Sequence, residues 1–204
     1  MRRTQAQRSA ETQRKLIDGA IAVLHRLGYG ATTSGLIAQE AGVSRGAMLH
    51  QYPTKVDLML AVVSDVYSRE TNEYRERGMS AVSPRERFYK FPEMMWDAFT
   101  RPSAMAVLEI MMGSRSDPEL AARLAPLQRQ IEAVSKGTVE AILREAQLPD
   151  IPEFNAMRRL FVAAVRGLSI DLMLVKDRAE LEQSIVLLQR FLRVLYEGDL
   201  PPAR

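Results

Sequence analysis

The sequence predicts an all-α protein, and three observations carry that reading. Apolar residues recur at three- and four-residue spacing through most of the 204 residues, the pattern of amphipathic helices. No stretch of useful length alternates apolar and polar residues as a half-buried strand would. The candidate helices are also punctuated: several begin on Ser, Thr or Asp with an acid close behind, and end at Gly or before Pro. About nine helices result, three of them in an N-terminal head.

Each element follows in order. Residues 1–8 are polar and basic and are expected to be disordered or marginal. From about residue 10 to 27, Leu16, Ile17, Ala20, Ile21, Val23, Leu24 and Leu27 mark one helix, which Gly28 closes before Gly30 opens a loop. Thr32 or Thr33 caps a second helix. Gly42 supplies the positive φ of a tight turn, and Ser44 starts a third helix that Pro53 ends at Tyr52. Thr54 and Asp57 form a capping box for a fourth helix running to about residue 77. At ~23 residues it spans roughly 35 Å, enough to link two bodies mechanically. Residues 78–83 read as the clearest linker. Ser83-Pro84-Arg85-Glu86 opens a helix to about residue 100, which Pro92 must kink or break. Helices at 102–113, 117–146, 153–175 and 177–198 complete the chain. The predicted domains are residues 1–55, with a helix-turn-helix at 33–52, and residues 56–204, entered through a connecting helix at about 55–77.

Composition narrows the function. There are no cysteines, which removes disulfides, thiol chemistry and Cys-based zinc sites and suits a reducing cytoplasm. No apolar run approaches the ~18 residues of a membrane span, and the basic N-terminus lacks the apolar core of a secretory signal. Residues 1–55 hold eight Lys/Arg against three acids, a net +5. The whole chain is +3, so residues 56–204 carry −2. A basic head on a slightly acidic body fits a polyanion-binding module attached to something else. The two histidines, His25 and His50, lie near no nucleophile or metal-ligand cluster, so neither an enzyme nor a metal or cofactor site is predicted.

The stretch TTSGLIAQEAGVSRGAMLHQYPTK, residues 32–55, organises the head. Ala38 is small where two helices would cross, and Ala41, Val43 and Met48 seal the pair to another helix. The first turn of the third helix, Ser44-Arg45-Gly46-Ala47, is small and basic, which suits entry into a major groove. Arg45 can pair bidentately with guanine or neutralise a phosphate. Gly46 permits close backbone approach, or simply tight packing. Ala47 can touch a thymine methyl. Ser44, His50 and Gln51 can bond phosphates, although His50 also fits an ordinary surface position. Lys55, Thr33 and Ser34 sit at helix starts, where free N–H groups and side chains can meet a phosphate. Arg2 and Arg3 fit either a DNA-contacting arm or a disordered tail.

The run GYGATTSGLIAQEAGVSRGAMLHQYPTKVDLMLAVV resembles the DNA-binding head of the TetR family of bacterial transcriptional repressors. The matching features are G-Y-x-A-T-T, I-A-x-x-A-G-V-S-x-G, an aromatic at Tyr52 and T-K-x-x-L, spread over roughly residues 8–65. The resemblance implies the same helical architecture and DNA contacts from Thr33, Ser34, Ser44, Arg45, Gly46, Ala47, Leu49, His50, Gln51 and Lys55. It departs at Leu49, where the family often has Tyr, and at Gln51, where it has His or Tyr; a tyrosine hydroxyl for phosphate is therefore missing.

The body carries Phe88, Tyr89, Phe91, Met94, Met95, Trp96, Phe99, Met105, Met111 and Met112 within 25 residues, the chain's densest aromatic and methionine cluster. It reads either as helical core or as a pocket for an apolar or aromatic small molecule. TetR-like proteins bind inducers in this part of the body, which implies an effector pocket at Phe91, Met94, Met95, Trp96, Phe99, Met111, Met112 and Arg166. Arg166 and Asp171 can orient a polar ligand group or pair across an interface. The last two helices are apolar over too much of their surface for a monomer. Phe161, Val165, Leu168, Leu172, Leu188, Phe191, Leu192 and Leu195 are the expected homodimer face, two helices from each subunit forming a four-helix interface as the resemblance implies. Two heads a helical turn or so apart would read a palindromic operator. The expectation is thus a cytoplasmic, dimeric repressor released from DNA by an apolar or aromatic effector. The alternative is an α-helical adaptor whose head binds protein and not DNA.

Overall fold

Ten helices and no strand make up the described residues: α1 (Gln5–Ala31), α2 (Ser34–Glu40), α3 (Arg45–Gln51), α4 (Lys55–Gly78), α5 (Pro84–Tyr89), α6 (Phe91–Phe99), α7 (Pro102–Gly113), α8 (Pro118–Glu145), α9 (Phe154–Asp171) and α10 (Arg178–Glu197). The structure is a computed structural model that describes residues 4–78, 83–175 and 177–198, with the backbone alone for 74–78. The expected arm at Arg2 and Arg3 and most of the linker at 78–83 lie outside the described residues.

The capping chemistry read from the sequence forms most of the helix starts. Thr33 Oγ1 accepts from Leu36 N at 3.3 Å, and Ser44 Oγ from Ala47 N at 3.2 Å. Thr54 and Asp57 close a reciprocal box, with Asp57 N to Thr54 Oγ1 at 3.0 Å and Thr54 N to Asp57 Oδ2 at 2.9 Å. Asp117 Oδ1 accepts from Leu120 N at 3.0 Å and Asp177 Oδ1 from Ala179 N at 3.0 Å. At Ser83 one half of the expected box is present, Glu86 N to Ser83 Oγ at 3.2 Å, while the Glu86 carboxylate takes two bonds from Arg193.

Three boundaries differ from expectation, each for a local reason. The first helix begins at Gln5 because Thr4 and Gln7 form a capping box, so residues 5–8 are helical and not disordered. The helix expected over 83–100 is two, α5 and α6, joined at Lys90 with Pro92 in the first turn of the second, which raises the count from nine to ten. The apolar helix expected to reach 175 ends at Asp171, whose carbonyl accepts from both Leu174 N and Val175 N at 2.8 Å as the chain turns. Pro126 lies inside α8; it takes one donor out of the ladder, at a point where residue 122 faces solvent.

By contact the chain forms two compact units, residues 1–70 with 102–132, and residues 71–101 with 133–204. This grouping differs from the motif-based boundary at residue 55, because the start of α4, all of α7 and the first half of α8 pack with the head. The first unit has one continuous core, in which Leu16, Leu24, Ile37, Met48, Leu58, Met59, Ile110 and Leu120 are fully buried. Gly19 permits a close approach of α1 to the end of α2: a Cβ there would lie 3.1 Å from Ala41. The second unit has two smaller cores. Phe88, Tyr89, Phe161, Leu192 and Tyr196 centre one, and Met95, Trp96, Val165, Leu181 and Ile185 form the other.

Candidate nucleic-acid interface and effector core

The corner of α2 and α3 takes its shape from three backbone facts. Gly42 has φ +63°, the left-handed geometry expected of the turn residue. Val43 N returns to Ala38 O at 2.9 Å, and Gly42 N to Gln39 O at 3.1 Å, so the carbonyls at the end of α2 are satisfied. Met48 is fully buried and sets the rotation of α3 about its axis. With Met48 inward, Arg45, Gly46, Leu49 and His50 are exposed, while Ala47 and Gln51 are partly buried. A Cβ at Gly46 would meet nothing within 4 Å, so this face is open. At the start of α2, Thr33 is exposed and Ser34 partly buried.

Several of these side chains also serve the fold. The Thr33 and Ser44 hydroxyls are the caps just described. Gln51 Oε1 accepts from Ser9 Oγ at 3.1 Å, tying the end of α3 to the first turns of α1. Lys55 is partly buried, and its Nζ donates to Tyr29 O at 2.9 Å and lies 3.8 Å from the centre of the Tyr29 ring. Burial holds its pKa below that of a free lysine, partly opposed by Asp117.

Tyr29 is the centre of a network that sequence reading did not assign. Its hydroxyl donates to Asp117 Oδ2 at 2.6 Å and its N–H to Glu109 Oε2 at 3.0 Å. Burial, then the bond to Asp117, pushes the phenol well above its usual pKa. Gly113 is what lets the ring lie there, since a Cβ would stand 2.3 Å from ring carbons. Asp117 in turn sits below the usual carboxylate range, held down first by the Leu120 N–H and then by the Tyr29 hydroxyl. Nearby, Arg123 Nη2 donates to Asp57 Oδ1 at 2.6 Å and lowers that carboxyl as well. The head and the start of α4 are thus fastened to α7 and the start of α8 by polar bonds at Tyr29 and Asp57, while Lys55 ties α4 to α1. The aromatic in G-Y-x-A-T-T was the only sequence signal for this; its partners lie more than 75 residues away.

In the second unit, α6, α9 and α10 gather Phe91, Met95, Trp96 and Phe99 around Val165, Leu181 and Ile185. Met95 and Trp96 are buried, and Met94 is partly buried. The Arg166 guanidinium lies 5.7 Å from the Phe99 ring centre, and that of Arg178 lies 5.7 Å from Trp96. Glu182, bonded to Arg178 at 2.7 Å, is held below the usual carboxylate range chiefly by that guanidinium, the Trp96 indole adding to it. Met111 and Met112 belong to the first unit, where Met111 packs on the core and Met112 is 51% exposed.

The expected dimer face divides in the same way. Phe161, Val165 and Leu192 are buried in their own unit's cores, and Leu168, Leu172 and Leu188 pack against one of them. Phe191 and Leu195 are exposed, and with them Leu160, Ile170, Met173, Leu174, Val186 and Leu187. The apolar face left open on α9 and α10 therefore includes Phe191 and Leu195 of the predicted residues, while the other six turn toward their own unit's cores. A high apolar content does not say which stripe faces inward.

These features define a helix-turn-helix DNA-binding protein with a separate helical body. A family model of bacterial regulatory proteins, tetR family, matches residues 16–62. The chain is 31% identical over 189 residues to the HTH-type transcriptional regulator CymR of Pseudomonas putida, covering 89% of each. Its fold is like that of a transcriptional regulator from Saccharomonospora viridis solved in complex with choline, at TM-score 0.71 and 19% identity over 90% of this chain and 96% of that one. It is also like LfrR of Mycobacterium smegmatis in complex with proflavine, at TM-score 0.61 and 21% identity over 95% and 98%. The chain belongs to the TetR family of bacterial regulatory proteins and is a DNA-binding transcriptional regulator. Among the described residues no helix is long and apolar enough to cross a membrane.

Proposed function

We propose that the protein is a cytoplasmic homodimeric repressor that reads a palindromic operator and leaves it when a small apolar or aromatic effector binds the body. The observation that carries the DNA-reading half is the orientation of α3, with Met48 fully buried and Arg45, Gly46, Leu49 and His50 facing out. Arg45 is the long cation on that face and reads a guanine or a phosphate; Thr33, Ser34, Ser44, His50 and Gln51 position the backbone. Lys55 fulfils its phosphate role only with the donor hydrogens left over from Tyr29. Dimerisation uses the exposed face of α9 and α10, with Phe191 and Leu195 at its centre.

The effector half rests on Phe91, Met95, Trp96 and Phe99, a soft aromatic and thioether cluster with two guanidiniums beside its rings, Arg166 at Phe99 and Arg178 at Trp96. LfrR, of the same fold, is known in complex with the planar aromatic proflavine.

Arg45→Ala is the direct test. Operator binding should weaken by about 1–3 kcal/mol if Arg45 reads a base, measured by gel-shift titration against a scrambled duplex. Equal affinity of variant and parent would remove Arg45 from the interface. Trp96, the single tryptophan, reports the effector: aromatic cations and neutral aromatics titrated into the full chain should change its emission and release DNA together. A ligand that releases DNA with no change at Trp96 would place the pocket elsewhere.

A further inference from the structure

Leu49 is the large apolar side chain that α3 leaves in solvent, 42% exposed. Nothing in the fold requires it there, since Met48 supplies the helix's core anchor. Leu49 stands four residues after Arg45, so the two share one face, and its Cβ leans toward the N-terminal turn that carries the guanidinium. The neighbouring column holds Gly46, with open space where a Cβ would be, and His50. Leu49 therefore projects with room on the side from which a duplex approaches. Ala47, the sequence-level choice for an apolar base contact, is partly buried and carries one short methyl. In a major groove the apolar group offered by a base is the C5-methyl of thymine.

We propose that Leu49 is a specificity-determining residue that packs on a thymine methyl in each operator half-site. This rests on the DNA-reading function given above. One helical turn separates Arg45 from Leu49, roughly 6 Å along the axis, against roughly 3.4 Å per base step. The thymine therefore lies within about two steps of the base or phosphate that Arg45 engages.

The full-length protein is used to select duplexes from a randomised pool, and affinity for the selected duplex is measured by fluorescence anisotropy. Each thymine is then replaced singly by deoxyuridine, which removes the methyl and keeps the pairing. One position per half-site should lose about fourfold in affinity, the value of one buried methyl-sized group. L49A should bind the thymine duplex more weakly and no longer distinguish it from the deoxyuridine duplex, while R45A should still distinguish them. An unchanged melting temperature for L49A separates this from a folding defect. A selected site with no methyl-sensitive thymine overturns the proposal alone, as does full sensitivity retained by L49A. Failure to enrich any duplex overturns the DNA-reading function and this proposal with it.

Discussion

The two compact units solve the problem of burying apolar surface differently. The first closes on itself: one core runs through α1 to α4, α7 and the start of α8, and its seams are tied by Tyr29–Asp117, Lys55–Tyr29 and Arg123–Asp57. Of the described residues that are large, apolar and exposed it keeps four, Leu27, Leu36, Leu49 and Met112. The second unit divides its interior into two smaller cores and leaves nine such residues in solvent, eight of them on or just after α9 and α10. A patch on that scale is what an association surface looks like before it is covered. On the proposed reading the first unit needs no protein partner to close its core, and the second is completed by one.

The largest break in that contrast comes from the open face of the second unit. Phe191→Glu with Leu195→Glu should convert the dimer to monomer in sedimentation velocity, because each charge carried into an apolar interface costs several kcal/mol. The same pair of changes should leave the first unit's hydrogen-exchange protection unaltered. A variant that stays dimeric would move the interface elsewhere.

Within the first unit, Gly113→Ala should destabilise by about 1–3 kcal/mol, since its Cβ would drive into the Tyr29 ring. Gly137→Ala, on an exposed part of α8 in the second unit with nothing within 4 Å, should instead stabilise by up to about 1 kcal/mol through helix propensity. Urea denaturation distinguishes the two by sign. Tyr29→Phe keeps the ring but deletes the bond to Asp117. It should cost about 1–2 kcal/mol, seen as faster exchange at α7 and the start of α8.

The smallest expected effect is the pH dependence of the seams. Asp57 and Asp117 both titrate below their unfolded values. Their stabilising contribution is thus present above roughly pH 4 and is lost as pH falls through the folded values. Both groups are partly exposed and so screened by solvent, and the loss should be modest and confined to the first unit. Asp57→Asn with Asp117→Asn should flatten the acid limb of its stability curve; an unchanged limb would mean that the acid sensitivity lies in other groups.

How legible each part was follows the same division. The head was readable because its signals are local: Thr33 and Ser44 as caps, Gly42 as the positive-φ turn and the Thr54–Asp57 box all act within four residues. Pro92 marked a kink or break in 83–100 for the same reason, but did not show that two separate helices would meet at Lys90. The Tyr29 network was not, since Glu109 and Asp117 come from distant helices and Gly113 reads in sequence only as a helix stop. On α9, Phe161 and Val165 point inward, yet they share helical spacing with residues that point out. Leu160 and Phe161 are adjacent and both apolar, and nothing local to α9 says which of them faces the core.

The chain by itself determined the helical class, where most helices begin, the helix-turn-helix corner and the basic charge of the head, because each is set by residues a few positions apart. Only the tertiary structure decided which residues turn inward on α9 and α10, that Lys55 leans on Tyr29, and that α7 and the first half of α8 pack with the head. Those outcomes depend on which helix packs against which, and that choice is made by shape and burial across the whole molecule.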